Sequence, residues 1–208
     1  MLLNRKTLNR ENSYTFSDYF KMSVDEDELI EFFDYKYQKI ELKLARDMES
    51  FEWFDFVKKS ISSAILNFKL SNEMARREFL IAPILLALST SLVLKVNSEK
   101  SIYFDEMLKG TLDYLIQGKH NLIIIEAKNV DILSEFKQLS VEMIALDKLL
   151  DSNSPNIIYG AVSIGTEWNF VTLDRDSKLI SQDSKFYKIP EELQELISVL
   201  TTILEGER

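Results

Sequence analysis

Leu122-Ile123-Ile124-Ile125-Glu126-Ala127-Lys128 is the stretch on which the fold turns. Four consecutive apolar residues, three of them β-branched, read as a central strand covered on both faces. The run then ends abruptly in a carboxylate and, two residues on, an ammonium group. Side chains two apart on a strand point to the same face, so Glu126 and Lys128 lie side by side where a core strand emerges at an edge or cleft. Immediately upstream, Gln117-Gly118-Lys119-His120-Asn121 is a turn-like cluster, and Leu108 to Ile116 supplies a second strand.

A turn centred between Lys119 and His120 pairs Leu115 with Ile124, Tyr114 with Ile125, and Asp113 with Glu126. Directly opposed side chains sit roughly 4.5–5.5 Å apart at Cβ, and two like charges there are destabilising without something positive between them. A divalent cation is the obvious candidate, because Mg²⁺ is commonly held by one or two carboxylates plus water and phosphate oxygens. Lys128 beside that pair is placed to neutralise a phosphate or to position an attacking water.

Outward from the hairpin, the C-terminal side predicts a helix from Asp131 to Leu150 with Phe136, Leu139, Met143, Leu146 and Leu150 on one face. Strands follow over Asn156 to Ile164 and Trp168 to Leu173, with weaker strand signals near Leu179 and Phe186. Pro190 then suits the first position of a last helix, with Glu191 and Glu192 at its positive end. On the N-terminal side, Leu92 to Val96 reads as a strand and Ser101 to Phe104 as a possible second one. Phe54, Val57, Ile61, Ala64, Ile65 and Phe68 form a helical stripe, and a further helix starts near Ser71-Asn72 and is kinked or weakened at Pro83. Tyr14 to about Leu44 is a charged, aromatic segment whose acidic run Asp25-Glu26-Asp27-Glu28 suits a helix start near Leu29. This order of elements predicts an α/β or α+β sandwich around a mixed sheet.

The pattern resembles the PD-(D/E)XK nuclease superfamily. Asp113 in Gly110-Thr111-Leu112-Asp113-Tyr114 and the tripeptide Glu126-Ala127-Lys128 after an apolar strand match its motif. Gln138 in Phe136-Lys137-Gln138-Leu139 follows on the next helix, and Glu73 to Pro83 looks like the helix that several members place beside the site. The resemblance covers roughly residues 70 to 165. Leu112 stands where a proline precedes the first aspartate in the family pattern. What the resemblance implies is a single α/β domain over residues 1–208 with a restriction-endonuclease-like mixed central β-sheet flanked by helices, residues 1–50 being a helical N-terminal extension. It further implies a metal-dependent nuclease acting on DNA or RNA with Mg²⁺ or Mn²⁺. Asp113 and Glu126 would bind the metal, Lys128 would assist the nucleophilic water, and Gln138 would support metal, water or backbone. Glu73 or Glu78 would add a further carboxylate; Glu78 is preferred, because it shares a helical face with Ile81 and Leu85 and should point to the sheet.

Composition bounds the alternatives. Of the 208 residues, 46% are hydrophobic and 28% charged, the composition of an ordinary globular protein. There is no cysteine, which excludes disulfides, thiolate zinc sites and cysteine nucleophiles, and fits a cytoplasmic location. Met1 to Lys6 lacks the apolar run of a signal peptide, and Phe79 to Leu88 is too short to span a membrane. The single histidine, His120, falls in the predicted turn, and no Gly-x-Ser-x-Gly elbow, P-loop or Gly-x-Gly-x-x-Gly loop is present. A net charge of −9 argues against a simple nucleic-acid coat, although a basic groove can sit on an acidic protein. Arg76 and Arg77 either contact phosphates or pair with neighbouring acids at helical spacing. The competing account of Asp113, Glu126 and Lys128 is a neutralised surface cluster on an edge strand. Two further rivals are a catalytically silent nuclease-like module and a structural protein with an acidic docking face. Leu193, Leu196, Ile197, Leu200 and Leu204 form a stripe that could pack within the domain or form a homodimer.

Overall fold

The strand that opens the case, Leu122–Ala127, is buried at every position and lies inside a seven-stranded mixed sheet. A computed structural model of the chain describes residues 8–45, 51–128 and 132–206. In chain order the elements are α1 (Phe16–Phe20), α2 (Glu26–Phe32), β1 (Lys36–Ile40), α3 (Phe54–Asn67), α4 (Glu73–Arg76), a π-helical turn (Arg77–Ile81) and α5 (Ala82–Ser91). They continue as β2 (Lys95–Tyr103), β3 (Lys109–Gln117), β4 (Leu122–Ala127), α6 (Ile132–Leu149), β5 (Ile157–Ser163), β6 (Glu167–Asp174), β7 (Leu179–Lys188) and α7 (Leu193–Glu205). The sheet order is β1-β7-β6-β5-β4-β3-β2. Pairs β1/β7 and β4/β5 are parallel and the remaining neighbours antiparallel. The α/β class and the mixed sheet flanked by helices are as the sequence predicts.

The sheet separates two cores. Leu122 and Ile124 of β4 pack with α1, α2 and α6, while Ile123, Ile125 and Ala127 pack with α3, α5 and α7. This alternation is the period-two geometry of a strand covered on both sides. Helix α6 carries its expected face, with Phe136, Leu139, Met143 and Leu146 buried and Leu150 half-buried. It is also buried at Ser140, Val141, Glu142, Ile144 and Ala145, because the sheet covers one side and the N-terminal helices the other. The expected start of that helix at Asp131 lies outside the described residues.

Three local expectations are corrected. The segment before residue 50 is not purely helical: Lys36–Ile40 forms an edge strand paired with Leu179–Asp183, and Tyr14, Phe16, Tyr19, Leu29 and Ile30 belong to the first core. The acidic run spans the N-cap position, Asp25, and the first turn of α2, Glu26 to Glu28, rather than lying ahead of a helix at Leu29. The two candidate strands over residues 92–104 are one, β2, and Glu99 within it has φ 51. Near Pro83 the expected kink takes the form of the π turn at Arg77–Ile81, just ahead of a residue that has no N–H to donate.

Helix α7 lays its whole apolar stripe on the sheet, with Leu193, Leu196, Ile197, Leu200 and Leu204 all buried within the chain. It therefore presents none of that stripe to a second copy. Its C-terminal carbonyls are capped by the β3–β4 turn, since Lys119 N donates to Leu204 O (3.0 Å) and Asn121 Nδ2 to Ile203 O (3.0 Å). The contact needs Gly118, where a Cβ would lie 2.1 Å from the Leu204 carbonyl oxygen. No helix among the described residues is long and apolar enough to cross a membrane.

Gly118→Ala must push the hairpin tip away from backbone rather than from a flexible side chain. It should lower stability by about 1–3 kcal/mol, read as a lower urea midpoint at unchanged slope. An unchanged midpoint would mean that the tip and the helix end separate freely.

Candidate active site

The observed β3–β4 register is the predicted one, Gln117 with Leu122 through Tyr114 with Ile125. The ladder stops there, one position short of Asp113 and Glu126. In place of a backbone partner, the Asp113 carboxylate accepts a hydrogen bond through Oδ2 from Ala127 N–H at 2.8 Å. Leu112 and Tyr114, two apart on β3, belong to opposite cores, so the strand turns over at Asp113. Across β2, the pairs Ser98–Tyr114 and Lys100–Leu112 leave Glu99 opposite Asp113 with a left-handed backbone. These departures from a flat ladder deliver two acidic side chains to one end of the sheet.

Glu126 is 1% exposed. Its Oε1 lies 2.8 Å from Lys128 Nζ and accepts from Gln138 Nε2 at 2.5 Å. The shared face of Glu126 and Lys128 is what the two-residue spacing dictates, and Lys128 is fixed by its own N–H donating to Ser163 O at 2.8 Å. A charge this buried costs several kcal/mol unless paired and hydrogen-bonded, so both neighbours are required by the burial itself.

Gln138 also donates to Glu142 Oε1 at 2.8 Å, which makes a buried row Glu126–Gln138–Glu142. Glu142 is fully buried and its Oε2 has no hydrogen-bond partner. Burial, then the neighbouring Glu126 charge, push its carboxyl well above the usual range. Glu142 therefore holds its proton more tightly than a solvated carboxyl does. Asp113 is also pushed up by burial, against the Ala127 N–H and the Arg77 and Lys128 charges that hold it down.

Of the two upstream candidates, Glu78 is exposed, whereas Glu73 approaches Lys128 Nζ at 4.0 Å. Burial pushes the Glu73 carboxyl up, and Lys128 opposes that shift. The preference for Glu78 is therefore corrected in favour of Glu73. The cause is the π turn, which widens the helical spacing beyond 3.6 residues and rotates Glu78 off the face of Ile81 and Leu85. Arg77 pairs through Nη1 with Asp113 Oδ1 at 3.1 Å and with Glu99 Oε1 at 2.6 Å, over the Tyr114 ring at 5.0 Å. Arg76 donates to Ile164 O at 2.8 Å, tying α4 to the turn after β5. His120, in the predicted turn, is exposed, and so are Lys58 and Lys59.

Sequence reasoning missed Glu142 and Glu99. Glu142 had a signal, since it stands one helical turn after Gln138 on the same face. Glu99 had none, because its position depends on a backbone conformation that glutamate seldom adopts.

Asp113 and Glu126 themselves offer carboxylate oxygens, the ligand type that a hard divalent cation such as Mg²⁺ or Mn²⁺ takes. Among the described residues no three acidic or histidine side chains are grouped closely enough to hold a metal ion as they stand. Two carboxylates with water and phosphate oxygens suffice for Mg²⁺, and the two cationic contacts at Asp113 and Glu126 mark where positive charge is already accepted. Asp113 and Glu126 are the two carboxylates that such an ion would use. No protein-family model matches the sequence, and no curated protein matches it significantly.

Because Glu142 binds its proton more tightly folded than unfolded, its stabilising contribution is complete below the ordinary carboxylate range. That contribution is lost as pH rises through the raised value. Glu142→Gln removes the loss. As pH rises from the ordinary carboxylate range, the melting temperature of the parent should fall more than that of the variant. Parallel curves would show that Glu142 ionises in the folded protein as it does in the unfolded chain.

Proposed function

We propose that this chain is a nuclease of the PD-(D/E)XK class that hydrolyses phosphodiester bonds of DNA or RNA with Mg²⁺ or Mn²⁺. The supporting observation is the junction of β3 and β4, where Asp113 leaves the ladder beside a buried Glu126 that Lys128 neutralises at 2.8 Å. Asp113 and Glu126 would hold the ion, with Glu73 favoured over Glu78 as the further acid. When bound, such an ion lowers the pKa of water and offsets charge on the phosphate.

The remaining roles belong to the chain itself. Lys128 Nζ supplies a fixed positive charge beside Glu126, where a phosphate oxygen or an attacking water would be oriented. Gln138 Nε2 fixes the Glu126 carboxylate in rotation, and Ala127 N–H does the same for Asp113. Preorganisation of this kind lowers the reorganisation needed when charge develops on the phosphate. DNA is the first substrate to test, and the cations near the site, rather than the overall charge of −9, would meet it.

A second reading is a catalytically silent nuclease-like binding or assembly module. It is favoured by one observation: both oxygens of Asp113 are already engaged, by Arg77 and by Ala127 N–H.

Single- and double-stranded DNA and RNA incubated with the protein and Mg²⁺ or Mn²⁺ distinguish the two. The nuclease reading expects cleavage that Asp113→Asn and Glu126→Gln each reduce by about 10²-fold or more. Absence of cleavage on every substrate supports the silent module. Undiminished cleavage by the Glu126→Gln variant assigns the activity to another site or to a contaminant.

A further inference from the structure

We propose that Arg77 is a built-in counter-cation at Asp113 that an incoming divalent metal must displace, and that Glu99 is the carboxylate that receives it. The inference rests on the metal-site reading above and adds a control on metal affinity that lies outside the ligands themselves.

Three observations carry it. The first is that one nitrogen serves both carboxylates: Arg77 Nη1 lies 3.1 Å from Asp113 Oδ1 and 2.6 Å from Glu99 Oε1. Transfer between them needs a small rotation of the guanidinium rather than a new side-chain path. The Tyr114 ring lies beneath it, 5.0 Å from ring centroid to guanidinium carbon, and offers a flat surface for that rotation. The second is that Asp113 cannot readily turn away. Its Oδ2 accepts the Ala127 N–H, so Oδ1 is the oxygen that faces both Arg77 and any arriving ion. A dication at Oδ1 would meet the guanidinium at close range in a partly buried setting, where like charges repel strongly.

The third is the backbone of Glu99. It sits opposite Asp113 on β2 with φ 51, a left-handed conformation that costs a non-glycine residue energy. That conformation brings its carboxylate to Arg77, while the side chain remains 60% exposed and well solvated. The result is an alternative partner for the guanidinium that costs little to occupy. Arg77 itself is only 18% exposed in its side chain, so it needs such a partner if it leaves Asp113.

The test is titration of the full chain with Mn²⁺ alone, followed calorimetrically at low salt, for the parent, Arg77→Gln, Glu99→Gln and the double variant. Arg77→Gln should bind Mn²⁺ roughly tenfold more tightly or better, and Arg77→Lys should restore parent-like affinity. Glu99→Gln should bind more weakly, because the guanidinium then stays on Asp113. In the Arg77→Gln background the same Glu99 change should have little effect, since there is no guanidinium left to receive.

Arg77→Gln binding no tighter than the parent overturns the proposal and leaves the metal site standing. An equal Glu99 effect in both backgrounds also overturns it, because Glu99 would then act as a through-space charge. If Arg77→Gln fails to fold, Arg77→Met supplies the second background, and unchanged Mn²⁺ affinity in Glu99→Gln overturns the proposal in any case. No Mn²⁺ binding by any of these proteins removes the metal reading itself, and this inference with it.

Discussion

The site is organised by a carboxylate taken out of water at the end of a core strand. Glu126 continues the face that Leu122 and Ile124 present to α6, and it is as buried as they are. Nothing apolar can accept that charge, so an ammonium group must stand beside it and an amide must donate to it. Lys128 meets the first need from the same strand, and Gln138 meets the second from the helix that covers it. Gln138 then has a second donor to place, and Glu142, whose carboxyl burial pushes up, accepts it. The polar row is thus a chain of consequences from one buried charge, and the helix α6 is held in register with β4 by it.

The hairpin was legible in the sequence because two independent signals agreed. An apolar run fixed the inner strand, and a five-residue turn cluster fixed how the outer strand meets it, so Tyr114 and Ile125 pair as expected. Asp113, Glu126, Lys128 and Gln138 all come together around that register. What failed did so for physical reasons. Glu78 was placed by assuming one helical period from Ser71 onward, and a π turn carries no compositional mark. Lys36-Tyr37-Gln38-Lys39-Ile40 has too little apolar character to announce a strand, and its pairing partner is β7, distant in sequence. Glu142 was missed because the N-terminal helices that help to enclose α6 were taken for an extension, which left its side of the helix without a partner.

Charge around the site is shared out rather than left positive, since Arg77 also meets Glu99 and Lys128 also meets Glu73. Asp113 and Glu126 are each matched by one cation, Arg77 and Lys128, and burial pushes the Glu142 carboxyl towards its neutral form. The excess negative charge of the chain is carried elsewhere, for example in the first turn of α2. Total charge then describes the protein's solubility, while the local balance decides what approaches the sheet end.

The pairing of β1 with β7 has a consequence for the order in which this architecture can form. Synthesis runs from the N-terminus, so β1 is the first strand made, yet it has no neighbour in the sheet until Leu179–Asp183 exists. The second core is likewise open until α7 arrives to close it, and α7 also meets the tip of the β3–β4 hairpin. Contacts this far apart in sequence are slow to close. The growing chain therefore carries the residues of its candidate site long before it can hold them in place, and any chemistry they perform must await the last helix.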